Sequence, residues 1–170
     1  MSALEVLLVR HAIAAERDHA RFPDDSLRPL TDRGRARFRA AARGLGSLVA
    51  VPTRLLASPY ARTWETAGIL AAEADWPTPE RCDALAADRG AGEALAALAA
   101  VGGPGPVVLV GHEPTMTILT RLLVRAEDEG AVDWFRKGAA ALVAFDGAPA
   151  VGTGSLAWQH QPSALRALAQ

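Results

Sequence analysis

The chain has 170 residues, half of them apolar, enough to enclose a core without disulfides or metals and too many for a disordered protein. Its 18 basic and 19 acidic residues leave a net charge of −1, which excludes a nucleic-acid or membrane-surface footprint for the chain as a whole. The single cysteine, Cys82, rules out an internal disulfide and a zinc–thiolate cluster, and no basic leader precedes an apolar span approaching the roughly 20 residues of a membrane helix. A cytoplasmic, untargeted protein that binds neither nucleic acid nor membrane is the expectation. The oligomeric state is not written in the sequence.

Residues 4–9, Leu-Glu-Val-Leu-Leu-Val, are a near-continuous apolar run and predict a buried strand ending in Arg10-His11-Ala12. Residues 12–30, with Pro23, Pro29 and Asp24-Asp25-Ser26, read as a loop over the strand's exit. Thr31 is the N-cap of a helix running to about Leu48, and Thr53–Ala57 is a second strand. Ser58-Pro59 reads as the N-cap and first position of the next helix, which carries Ala61, Trp64, Gly68 and Ala72 at helical spacing and ends before Trp76-Pro77.

A short strand is expected near Arg81–Leu85 and a small helix over Glu93–Val101, broken by Gly102-Gly103-Pro104-Gly105-Pro106. Val107–Val110 predicts a central strand, followed from Pro114 by a helix with Ile118, Leu119, Leu122 and Leu123 on one face. Ala139–Phe145 and Val151–Trp158 flank an Asp146-Gly147-Ala148-Pro149 turn and predict an antiparallel hairpin at the sheet edge. Strands alternating with helices imply a three-layer α/β/α arrangement: a mainly parallel sheet, helices on both faces, and an antiparallel C-terminal edge. Residues 1–170 read as a single domain without internal repeats.

Parallel strands deliver their C-terminal ends to one edge of the sheet, where open α/β folds place ligands. Arg10 and His11 follow the first strand, Arg62 opens the helix after the second, and His112 follows the central strand. Two guanidinium forks and helix N-termini around one small volume select a phosphate group. A neutral imidazole at His11 is then a nucleophile for phosphorus, with Arg10, Arg62 and a protonated His112 on the equatorial oxygens. The sequence names no acceptor that fixes the His11 tautomer.

Arg10-His11-Ala12, Leu30-Thr31-Asp32-Arg33-Gly34, Ser58-Pro59-x-x-Arg62-Thr63-x-x-Thr66-Ala67 and Gly111-His112-x-Pro114 together resemble the histidine phosphatase superfamily, also called the phosphoglycerate mutase-like fold. The short chain and Arg28-Pro29-Leu30-Thr31 look most like the SixA-type phosphohistidine phosphatases. The resemblance implies His11 as nucleophile, Arg10, Arg62 and His112 as phosphate-binding residues, and neither cofactor nor metal. It places the general acid near Leu85-Ala86-Ala87-Asp88, which makes Asp88 the candidate; Glu16 and Asp18 in the first loop compete with it. Asp88 departs from the family's glutamate and lies one residue late. The implied partner is a phosphohistidine-bearing protein. A small phosphate ester, acted on by a broad phosphomonoesterase, is the alternative, and a non-catalytic phosphate- or phosphoprotein-binding module is the alternative of another class.

Other residues have plainer readings. Arg28 touches either the phosphate or an ordinary ion-pair partner, His19 and His160 are surface residues, and Trp64, Trp134 and Trp158 pack. The arginines at 33, 35, 37, 39 and 43 form a wet helix face, with attraction of an acidic partner as a second reading.

Overall fold

The computed structural model describes residues 4–169. In chain order its strands are β1 (Leu4–Arg10), β2 (Arg54–Ala57), β3 (Glu80–Arg81), β4 (Val107–Gly111), β5 (Ala140–Phe145) and β6 (Ser155–His160). The helices are α1 (Asp32–Leu48), α2 (Ala61–Ala74), α3 (Ala91–Val101), α4 (Thr115–Leu123), α5 (Ala126–Glu129) and α6 (Pro162–Ala167). One sheet has the order β3-β2-β4-β1-β5-β6. β1, β2, β3 and β4 pair in parallel, whereas β5 runs antiparallel to β1, and β6 to β5.

The apolar run of β1 is continuous because both faces are covered. Leu7 and Val9 join Phe38, Leu45 and Leu70 of α1 and α2 and Leu165 of α6. Val6 and Leu8 join Leu98, Met116, Leu119 and Leu123 of α3 and α4. Strand alternation sends successive side chains to opposite layers, and only apolar residues satisfy both. This is the three-layer α/β arrangement expected, a mainly parallel sheet with an antiparallel C-terminal edge.

Several local expectations change. Thr31 does cap α1, its Oγ1 accepting from Gly34 N at 2.9 Å. Ser58 does not cap α2, which starts at Ala61 with Tyr60 at its N-cap. Ser58 N still donates to Val110 O across the sheet, and its Oγ is engaged by a histidine side chain, so the chain turns into the helix two residues later. The buried face of α2 is Arg62, Thr63, Thr66, Ala67 and Leu70; Trp64 and Gly68 face outward. Polar residues in its first two turns disguise the inward stripe. On α4, Leu119 and Leu123 are buried but Ile118 is exposed, and Met116 takes its place.

The third strand is only two residues long and passes into a turn at Asp83–Leu85. Trp134, like Trp64, is exposed rather than packed, while Trp158 stacks on His160 at 4.9 Å between ring centroids, giving that histidine a partner. The α1 arginines are not all free. Arg35 pairs with Glu65 at 2.7 Å and Arg43 with Glu73 at 2.6 Å, joining α1 to α2.

Candidate active site

The ends of β1, β2 and β4 meet at one edge. His11 N donates to Gly111 O at 3.0 Å, and Gly138 N donates to His11 O at 3.0 Å, so main chain of β4 and of the turn before β5 fixes the residue. Its ring lies 5.4 Å from the His112 ring, centroid to centroid. Both rings are buried, as is Arg62.

His11 Nδ1 lies 2.7 Å from Ala12 O. A carbonyl only accepts, so Nδ1 carries the proton and Nε2 presents its lone pair. Burial drives the His11 pKa down to about 3, reinforced by the fields of Arg62, Arg10 and Lys137 and opposed by the Ala12 hydrogen bond. The imidazole is therefore neutral at physiological pH. The same peptide is braced from the other side: Ala12 N donates to Thr66 Oγ1 at 3.0 Å, and that hydroxyl donates to Arg62 O at 2.6 Å.

His112 differs from the expected imidazolium. Burial, then the charges of His11 and Arg62, lower its pKa to about 2, so the ring is neutral. Its Nε2 lies 2.9 Å from Ser58 Oγ, and the Tyr60 ring meets it edge-on at 5.1 Å. Tyr60 N donates to Ser58 Oγ at 3.3 Å.

Arg10 Nη1 donates to Phe135 O at 2.7 Å. Arg62 Nη1 and Nη2 donate to Asp25 O and Oδ2 at 2.9 and 3.0 Å. Arg28 resolves as an ion-pair residue: its Nε donates to Asp25 Oδ1 at 2.9 Å and its Nη1 to Ala15 O at 2.7 Å. Burial alone would raise the Asp25 carboxyl, but hydrogen bonds and charge from Arg28 and Arg62 hold it below the usual carboxylate range.

Arg10 Nε, Arg62 Nε and His112 Nδ1 are buried without a hydrogen-bond partner in the protein. An unsatisfied buried polar group costs about 1–3 kcal/mol. Three such groups, two of them on guanidinium cations, belong to residues gathered at one edge of the sheet. Among the described residues no group of three or more His, Cys, Asp or Glu side chains is placed to hold a metal ion.

Asp88 lies on an exposed loop beyond the Asp83–Leu85 turn; burial raises the Tyr60 phenol pKa, and the nearby Asp88 charge adds to it. Thr115 Oγ1 ties that loop to α4 through Arg89 O at 3.4 Å. Asp18 Oδ1 instead accepts from Ala20 N and Arg21 N at 2.9 and 3.1 Å, closing its own turn. Glu16 is exposed and its field reaches Lys137.

Asp25, Tyr60, Thr66 and Lys137 complete the surroundings without having been singled out in the sequence. Tyr60 and Thr66 lie inside the Ser58–Ala67 motif. Asp25 sits three residues before Arg28, a spacing too common to signal a contact. Lys137 arrives from the turn before β5, far along the chain.

A family model described as histidine phosphatase superfamily (branch 1) matches residues 6–89. An uncharacterized protein of Picosynechococcus sp. is 36% identical over 115 residues, which are 66% of this chain and 68% of that protein. The solved structure of the protein histidine phosphatase SixA complexed with tungstate superposes with a TM-score of 0.80 at 29% identity, covering 95% of this chain and 99% of the other. A mycobacterial glucosyl-3-phosphoglycerate phosphatase shares the fold, with a TM-score of 0.65 at 17% identity over 91% of this chain and 97% of that one.

Proposed function

The chain belongs to the histidine phosphatase superfamily and is a phosphatase of the SixA type, and on that premise we propose that it removes phosphoryl groups from phosphohistidine on a protein, through a covalent intermediate on His11. The observation that carries the chemistry is the buried, neutral His11 ring, its Nδ1–H held by Ala12 O and its Nε2 free. Arg10, Arg62 and His112 supply the donors around it.

In the first step the Nε2 lone pair attacks phosphorus in line, a P–N bond forms and the bond to the leaving group breaks with its electron pair. The equatorial oxygens take hydrogen bonds from Arg10 and Arg62 Nε and from His112 Nδ1. His112 donates through Nδ1 in the tautomer where Ser58 O–H donates to Nε2, an assignment consistent with Tyr60 N occupying the Ser58 oxygen as acceptor. In the second step water attacks phosphorus, and His11 leaves as the neutral imidazole.

Asp88 is our candidate to protonate a departing alkoxide. A phosphoramidate has another route, because its leaving nitrogen can be protonated before the P–N bond breaks. An exposed acid on a short loop therefore suits phosphohistidine better than an ester. The short segments from His11 to Thr31 and beyond Asp88 leave little chain to close over the site, which favours a phosphoryl group carried on a protein. The SixA likeness over nearly the whole chain supports the same substrate.

Turnover of a phosphohistidine-bearing phosphotransfer domain, p-nitrophenyl phosphate and 3-phosphoglycerate on one preparation tests the reading. We expect the highest kcat/KM on the phosphoprotein. Preference for either small ester would replace the protein substrate with a small one, and silence on all three would leave a binding module.

A further inference from the structure

Beside the phosphate edge lies a second cavity of about 180 Å³, between the first turns of α1, the start of β5 and α6. Its wall includes Phe38 and Gly138, and its charged residues are Arg37, Arg136, Lys137 and Arg166. No carboxylate lines it. Among the described residues none of these four cations takes part in an ion pair, although ten other arginines do.

Arg37 lies close enough to Arg166 for its charge to add to the burial that lowers the Arg166 pKa. Like charges facing one another across a recess repel, and an incoming anion relieves that repulsion. Arg35, two residues earlier on the same helix, does find an acidic partner in Glu65. Arg39 and Arg43 of the same helix likewise pair, with Glu73, so an unpaired cation is not the rule along α1.

The cavity adjoins the His11 end of the sheet. Ala12 and Ile13, the two residues after His11, line it, and so does Gly138, whose amide holds the His11 carbonyl. Lys137 stands between the two, its charge felt by His11 on one side while it lines the cavity on the other. Glu16 on the facing loop is the carboxylate whose field reaches Lys137.

We propose that this cavity is an anion-binding specificity subsite, taking a carboxylate displayed beside the phosphohistidine on an acidic face of the substrate protein. This rests on the phosphohistidine reading above and adds the charge of the surface that carries it. The cleft joins a nearly neutral chain, so attraction is local to this edge. It acts on encounter and ground-state docking, and so falls on KM and salt sensitivity more than on kcat.

The test uses the Arg37→Ala/Arg166→Ala double variant, whose changes lie outside the phosphate site. On an acidic phosphohistidine-bearing phosphotransfer domain we expect KM to rise roughly tenfold, kcat to hold, and the salt dependence of kcat/KM to flatten. Turnover of p-nitrophenyl phosphate, which carries no second anion, should stay within about twofold, as expected when only substrate-docking charge is removed. Unchanged KM and salt dependence on the phosphoprotein overturn the subsite while leaving the phosphohistidine reading intact. Should the wild type reject the phosphoprotein, the substrate reading and the docking of an acidic protein fall together. Selectivity for 3-phosphoglycerate over p-nitrophenyl phosphate that the double variant loses would then assign the cavity to a small ester's carboxylate. Loss of p-nitrophenyl phosphate turnover in the double variant also overturns the proposal, since it would put the two arginines in the reaction itself.

Discussion

Two imidazoles kept neutral by burial set the chemistry at the edge of the sheet. In an unfolded chain each takes a proton near pH 6.5, whereas in the fold His11 does so only near 3 and His112 near 2. The unfolded state thus binds more protons below pH 6.5, and the two histidines contribute stability that is intact above 6.5 and is lost as pH falls towards 3. We expect the ring resonances of both to stay at their neutral positions from pH 8 to 5 in an NMR titration; a midpoint near 6.5 at His11 would contradict its burial. Asp25 is a positioning residue for Arg62. Asp25→Ala should lower kcat/KM, by up to about 100-fold if the guanidinium is misplaced by an ångström, and Asp25→Asn should recover most of it. An alanine variant with full activity would show that Arg62 needs no such hold. For Asp88, the proposed acid, Asp88→Asn should slow p-nitrophenyl phosphate far less than it slows an alkyl phosphate, whose leaving oxygen is more basic; equal losses, or none, would remove Asp88 from that role. His11, Arg62 and His112 were legible because each follows a readable strand. The Asp25 contact was not, since it is made through a loop whose path depends on Arg28 and Arg62 together.

At the scale of elements, α2 shows why a helix near a site misleads. Its inward face opens with Arg62, Thr63 and Thr66, so a reader following apolar spacing selects Trp64, which is exposed. What those threonines do appears only in three dimensions, Thr63 Oγ1 turning back to Ser58 O at 3.0 Å and Thr66 joining α2 to the peptide after His11. Thr66→Val keeps the shape but strands Ala12 N. It should cost about 1–3 kcal/mol of stability, read in urea unfolding, and lower kcat more than KM. A variant equal to wild type in both would show that the brace is dispensable. The contact of α1 with α6 depends on Gly44, where a Cβ would overlap the Leu165 carbonyl. Gly44→Ala should destabilise the protein by about 1–3 kcal/mol and lower its Tm by several degrees. Unaltered melting would mean that α6 shifts away freely.

Across the whole molecule, the parallel half of the sheet was legible because β1 and β4 are apolar on both faces and bounded by glycine, proline or charged residues. The antiparallel pairing of β5 with β6 was legible, but β6 begins at Ser155 and not at Val151, so the connection is longer than the Asp146–Pro149 turn suggests. The order of the strands was not, because a buried strand accepts any neighbour that completes its ladder and only the coverage of both faces chooses among them. That order places β4 between β1 and β2 and so brings His112 against His11. The proposed attack by His11 draws on no metal, so incubation with EDTA should leave turnover unchanged, and a chelator-sensitive enzyme would require a different chemistry.

The ring of His11 is oriented by the oxygen of the next peptide, not by a side chain. No codon change can delete a main-chain carbonyl, so this alignment is beyond the reach of ordinary point mutation. A gene copy that keeps the histidine but loses its alignment must bend the backbone beneath it. Lesions of that kind should fall at sites such as Thr66 or Gly138, where the path of that peptide is held.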